Sequence, residues 1–165
     1  MIIKSSVLKK LIRESLAAVI SEAKKFVCPS ATKDLKLNTK NRNNAIKADH
    51  IKYGPLNLSD QKYWNAIADH WNTDVDVAKK SLCGNCAAFD ISPQMLECMP
   101  GEVDKEGRLG YCWMHDFKCH SARTCYTWAA GGPIDDNSTS DSWNTKWGYY
   151  ETNRRSIKIF NTTNT

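Results

Sequence analysis

Six of the chain's seven cysteines stand in one stretch, at Cys83, Cys86, Cys98, Cys112, Cys119 and Cys125. The first two form Cys83-Gly84-Asn85-Cys86, a CxxC knuckle. Two thiolates at that spacing can grip one metal centre from a single turn, and Gly84 relieves the backbone there. The knuckle alone is open to three uses: a redox dithiol, half of a zinc site, or half of an iron–sulfur site. No second CxxC follows, as a zinc ribbon would require. A thioredoxin-like motif follows a strand, whereas Ala, Lys and Ser residues precede Cys83.

The later cysteines sit among aromatic residues. Cys112 lies in Gly110-Tyr111-Cys112-Trp113, and Cys125 is followed by Tyr126-Thr127-Trp128; Phe89 and Phe117 stand nearby in the sequence. A zinc knuckle has no need of such surroundings. An iron–sulfur cluster does, because exclusion of water sets its potential. His70, His115 and His120 are further candidate ligands, since imidazole suits zinc and iron. His115 and Cys119 have the i, i+4 spacing of a Cys/His zinc site on one helical turn. A catalytic set is not apparent. There is no Gly-rich phosphate loop, no HExxH and no GxSxG. The pairs Asp69-His70 and His115-Asp116 are adjacent in sequence and need not face each other. A binding or electron-carrying protein is therefore expected, not an enzyme.

The elements that must position these residues are short. A helix is expected from Ser59-Asp60 through Trp71, with Ser59 as cap and Tyr63, Ile67 and His70 or Trp71 on its inner stripe. Another short helical turn fits Asp74–Lys80. Little regular structure is expected over residues 81–133, and residues 135–142 read as a polar loop. Trp147–Tyr150 and Ser156–Phe160 alternate aromatic or β-branched with polar residues, so they could close a C-terminal aromatic hairpin. The expected fold is a small, loop-rich α+β metal or cluster domain over residues 59–165.

The ordered cysteines resemble those of the high-potential iron–sulfur proteins. That family has a CxxC knuckle with a small residue and an aromatic after it, a third cysteine after a glycine, and a fourth about thirteen residues later with an aromatic three places beyond. Here Cys83-Gly84-Asn85-Cys86-Ala87-Ala88-Phe89, Gly110-Tyr111-Cys112 and Cys125-Tyr126-Thr127-Trp128 are similar to those parts. Upstream, Ala66-Ile67-Ala68-Asp69-His70-Trp71-Asn72-Thr73-Asp74 is similar to the family's Ala-x-Ala-x-x-Tyr-x-x-Asp signature, with Trp71 in the tyrosine's place. The resemblance covers about residues 64–130. It implies a [4Fe–4S] cluster on Cys83, Cys86, Cys112 and Cys125, walled by Trp71, Phe89, Tyr111, Trp113 and Trp128. One-electron transfer or a structural core would be the cluster's use. The chain departs from the family in a longer insert between Cys86 and Cys112, in the extra cysteines Cys98 and Cys119, and in lacking the export signal. The spare pair could close a disulfide, or one of them could replace Cys112 or Cys125 as ligand. Cys28, beside Pro29, is expected to be a free thiol.

Charge divides the chain differently. Residues 1–52 hold 12 basic and four acidic residues, and the rest holds 11 basic and 14 acidic, within a total of +5. A basic arm is thus joined to a mildly acidic body. Nucleic acid is open to such an arm but unsupported, as no aromatic residues interleave to stack on bases. Leu8, Ile12, Leu16, Val19 and Ala23 recur at spacings of three and four, which predicts an amphipathic basic helix over residues 1–27. Residues 28–58, rich in Asn and Lys without apolar period, read as a polar linker. The helix must bury its stripe against a protein partner or a larger assembly. Charged residues interrupt the apolar run, so a secretory signal is not expected, and an intracellular or virion setting is. No run is long and apolar enough to span a membrane. The run Leu8-Lys9-Lys10-Leu11-Ile12-Arg13-Glu14-Ser15-Leu16 resembles the start of small structural proteins of tailed marine bacteriophages, which implies a virion component. A zinc-stabilised binding module is the remaining alternative, a metal replacing the core that a body of about 100 residues can scarcely build.

Overall fold

The computed structural model describes residues 9, 10, 12, 13, 26–54, 59–100 and 103–146. They form a small α+β domain. Lys9, Lys10, Ile12 and Arg13 are helical and exposed; the rest of the amphipathic stripe and the C-terminal hairpin lie outside the described residues.

Residues 30–47, expected as part of a linker, are instead two helices: α1 (Ser30–Lys33) and α2 (Leu35–Lys47). The Asp34 side chain caps α2 by accepting from the N–H groups of Lys36 and Leu37 at 2.9 and 3.0 Å. This helix has no broad apolar stripe for periodicity to find. It docks largely through asparagines. Asn38 Oδ1 accepts from the N–H of Lys118 at 2.8 Å, and Asn41 Nδ2 donates to the carbonyl of Asp116 at 2.7 Å. Ala45 is buried.

The helix expected from Ser59 is α3 (Gln61–Trp71), capped one residue later by Asp60, whose side chain accepts from the N–H of Tyr63 at 3.1 Å. Its buried face is Trp64, Ile67 and Ala68, with Tyr63 and Trp71 at the margin. Asn72, in the left-handed conformation at φ 51°, ends it. Then comes α4 (Val75–Lys80), packed on α3 through Ala78.

The segment expected to be nearly free of regular structure holds a sheet. Its strands are β1 (Phe89–Asp90), β2 (Val103–Asp104), β3 (Gly107–Cys112) and β4 (Phe117–His120), with α5 (Pro93–Cys98) between the first two. Every pairing among these four strands is antiparallel and involves β3. Residues 137–146, expected as loop at their start, are helical (α6), with Asp136 Oδ1 accepting from the N–H of Thr139 at 2.9 Å.

Register fixes which side chains share a face, because directly paired residues point the same way and neighbours along a strand point oppositely. Phe89 pairs with Cys112, Cys112 with Phe117, and Gly110 with Cys119. Phe89, Gly110, Cys112, Phe117 and Cys119 therefore lie on one face. Asp90 pairs with Tyr111, and Tyr111 with Lys118, on the other. The outer edge of β4 is covered: the N–H of Lys118 is taken by Asn38, and that of His120 by the Tyr53 hydroxyl at 3.3 Å.

Candidate functional site

The knuckle is a short 3-10 turn, Cys83–Asn85, pinned from several sides. The N–H of Cys83 donates to the Arg123 carbonyl at 2.6 Å, and that of Gly84 to the Ser121 carbonyl at 2.9 Å. Asn85 Oδ1 accepts from the N–H of Leu82 at 3.1 Å, and its Nδ2 donates to the Lys80 carbonyl at 2.8 Å. Gly132 is required beside it, since a Cβ there would stand 1.8 Å from the Cys86 carbonyl oxygen. The turn that CxxC chemistry needs is therefore built by the segment 121–132, which also carries Cys125.

Five cysteines are free: Cys83, Cys86, Cys112, Cys119 and Cys125. Cys83, Cys86, Cys119 and Cys125 are buried in one cluster with Phe89, Phe117, Tyr53 and Ala88, and Cys112 packs against it half-buried. The four sequence-expected ligands are thus brought together, and Cys119 joins them. The strand pairing places Cys119 there, on the same face as Cys112. Its i, i+4 spacing from His115 does not describe a helical turn, because His115 lies in the β3–β4 turn and Cys119 in β4.

Cys98 is not Cys119's partner. It forms a disulfide with Cys28, at a Cα–Cα distance of 5.6 Å, so Cys28 is not a free thiol. The bridge ties the segment before α1 to the end of α5, both beside the cluster of Met95, Met99, Tyr111 and Trp113.

The expected wall divides. Phe89 lies in the thiol cluster, across Gly110, where a Cβ would come within 2.3 Å of its ring. Trp128 packs on the same cluster and donates from Nε1 to the Leu82 carbonyl at 2.9 Å and to Asn85 Oδ1 at 3.0 Å. Trp71 is one ring further out, 5.6 Å from Trp128 between centroids, and donates to the Tyr126 carbonyl at 2.9 Å. Tyr111 and Trp113 are on the opposite face with Met95, Met99, Ile134 and Ala31, so they do not wall the thiols. Strand alternation is the reason: odd positions flanking Cys112 must point away from it. Phe117 and Tyr53 stand in the wall instead, with ring centroids 4.9 Å apart at 76°.

The electrostatics of the thiols are uneven. Burial pushes the Cys86 thiol up, while the main-chain N–H groups of Ala129 and Ala88 pull it down. A hydrogen bond from Cys119 holds Cys112 below the usual thiol range against its burial, helped by the main-chain N–H groups of His115 and Met114. Burial drives Cys119 well above that range, and its proton is held toward Cys112 and Cys83. Cys125 is pushed up to about 12 by burial, against a hydrogen bond from the Thr127 side chain. Among the expected ligands, Cys125 has a side-chain hydroxyl at its sulfur, Thr127 Oγ1 at 3.2 Å.

The histidines are engaged elsewhere. His70 stacks on Tyr126 at 3.9 Å between centroids, and His120 Nδ1 accepts from the N–H of Ala122 at 3.2 Å. His115 Nε2 meets Thr127 Oγ1 at 2.6 Å, and burial holds its imidazole down to about 4.

As the side chains stand, no three His, Cys, Asp or Glu residues among the described ones are grouped as a metal-ion site. Five free cysteines on four separate segments nevertheless pack together, four of them buried and Cys112 half-buried. No described helix is long and apolar enough to cross a membrane. Comparisons with protein-family models, curated proteins and solved structures give no match to the chain.

Proposed function

We propose that the thiol-bearing face of the sheet holds a [4Fe–4S] cluster through Cys83, Cys86, Cys112 and Cys125, for one-electron transfer or as a structural core. The observation that carries this reading is the gathering of five free cysteines in and against one buried cluster, with a side-chain hydroxyl, Thr127 Oγ1, 3.2 Å from Cys125 Sγ. Cysteines used merely as small apolar side chains need no such donor. Thiolates carrying the negative charge of a cluster do, and such a donor raises its potential. The resemblance to the high-potential iron–sulfur proteins supports the same four residues.

The wall of Phe89, Phe117, Tyr53 and Trp128 would exclude water from the centre. Cys119 stays a neutral thiol in this reading, with one S–H to donate to a ligand sulfur beside it. The cluster supplies single-electron chemistry; the chain supplies ligation, the Thr127 hydroxyl and a dry wall. The disulfide and the hydrophobic cluster on the other face belong to the scaffold.

Visible absorption of the anaerobically purified full-length chain tests this reading. A broad brown absorption that Cys86→Ser abolishes is the expected result. A colourless protein containing zinc would replace the cluster by a zinc-stabilised module, and a colourless metal-free protein would leave a structural role in an assembly.

A further inference from the structure

The thiol cluster is reached by a hydrogen-bonded chain that the four ligands alone do not account for. Thr127 Oγ1 lies 3.2 Å from Cys125 Sγ and 2.6 Å from His115 Nε2. A hydroxyl has one proton and two lone pairs, and a thiolate can only accept. These counts leave a single arrangement once Cys125 is ionised. Thr127 must give its proton to the sulfur, and its oxygen must then accept from His115 Nε2–H.

We infer that Thr127 and His115 are positioning residues for the Cys125 thiolate, acting in the order His115 Nε2–H to Thr127 Oγ1–H to Cys125 Sγ. The inference rests on the cluster reading for the nature of the centre. It goes beyond that reading in assigning two residues outside the ligand set.

The fold keeps the chain local. Thr127 follows Cys125 by two residues in a turn whose next residue, Trp128, is fixed through its indole N–H to Leu82 and Asn85. His115 sits in the β3–β4 turn, immediately before Asp116, whose carbonyl is held by Asn41. The turn and the Cys125 segment are therefore joined through one hydroxyl. A donor to a ligand sulfur stabilises the more negative, reduced form, so this chain raises the potential of the centre.

The test uses the full chain, loaded anaerobically with ferrous iron and sulfide, and reads the reduction potential by voltammetry. Thr127→Val keeps the shape and removes the hydroxyl; Thr127→Ser keeps the hydroxyl and removes the methyl. The expected result is a more negative potential, or failure to hold the cluster, in Thr127→Val, with Thr127→Ser close to wild type. His115→Phe should shift the potential in the same direction by less, since the hydroxyl stays. A Thr127→Val protein with the wild-type potential would overturn the inference. So would loss of the cluster in Thr127→Ser with retention in Thr127→Val, which is the pattern of a packing role. Wild-type chain that takes up no iron and sulfide fails the cluster reading itself, and that result precedes any comparison of variants.

Discussion

The two faces of the sheet are finished by different means. On one, Asp90, Tyr111 and Trp113 close a core with Met95, Met99 and Ile134. The buried Asp90 carboxylate is satisfied within the chain: Oδ1 accepts from the N–H of Ser92 and Oδ2 from Trp113 Nε1, both at 2.8 Å. The Tyr111 hydroxyl donates to Asp116. On the other face, Cys112 and Cys119 meet Cys83, Cys86 and Cys125, and Cys125 Sγ also meets the Thr127 hydroxyl at 3.2 Å. One face is a conventional core with its polar groups paired. The other gathers five free thiols in and against one buried cluster. One six-residue strand, β3, serves both because its alternation sends Cys112 one way and Tyr111 the other.

Substitutions on the two faces should therefore fail in different ways. The largest effect is expected from Cys125→Ser, which should empty the centre and lower the stability of the thiol face, since a bound centre supplies folding free energy. Cys119→Ser should keep the visible absorption. Spectra of the two purified variants check the contrast, and bleaching by Cys119→Ser would place that residue among the ligands.

Replacing both Cys28 and Cys98 by Ser should cost about 2–4 kcal/mol, the usual value of a disulfide, and leave the iron content unchanged. The bridge joins segments 70 residues apart in sequence on the scaffold side. Denaturant titration of the oxidised protein and the double variant measures the difference.

Trp113→Phe keeps a ring on the scaffold face but removes the donor to Asp90 Oδ2. A buried acceptor left without its partner costs about 1–3 kcal/mol, so the unfolding free energy should fall by that amount and the denaturation midpoint with it, while the absorption stays.

The smallest effect is expected from acid acting on His115 in the metal-free chain. Its folded-state value near 4 lies below the ordinary 6.5, so the unfolded chain binds the proton first. Stability from this group is full above about 6.5 and declines as pH falls toward 4. His115→Asn should flatten that part of the stability–pH curve.

Much of this arrangement is legible in the residues. The knuckle turn and the α3 and α4 helices follow from local spacing. Strand alternation in Gly110-Tyr111-Cys112-Trp113 also separates the aromatic residues from the thiols, once the segment is read as a strand. Three features resist reading. Helix α2 has an asparagine-mediated contact, which leaves no apolar period. The Cys28–Cys98 bridge depends on tertiary approach of distant segments. Cys119 gains its place from hairpin register, which the Trp113–Asp116 turn sets and no local pattern announces.

Iron and acid-labile sulfide, measured with zinc on one sample of anaerobically purified full-length chain, test the central claim most directly. About four iron and four sulfide per chain, with little zinc, is the expected result, as a [4Fe–4S] centre requires. One zinc and no sulfide would contradict it.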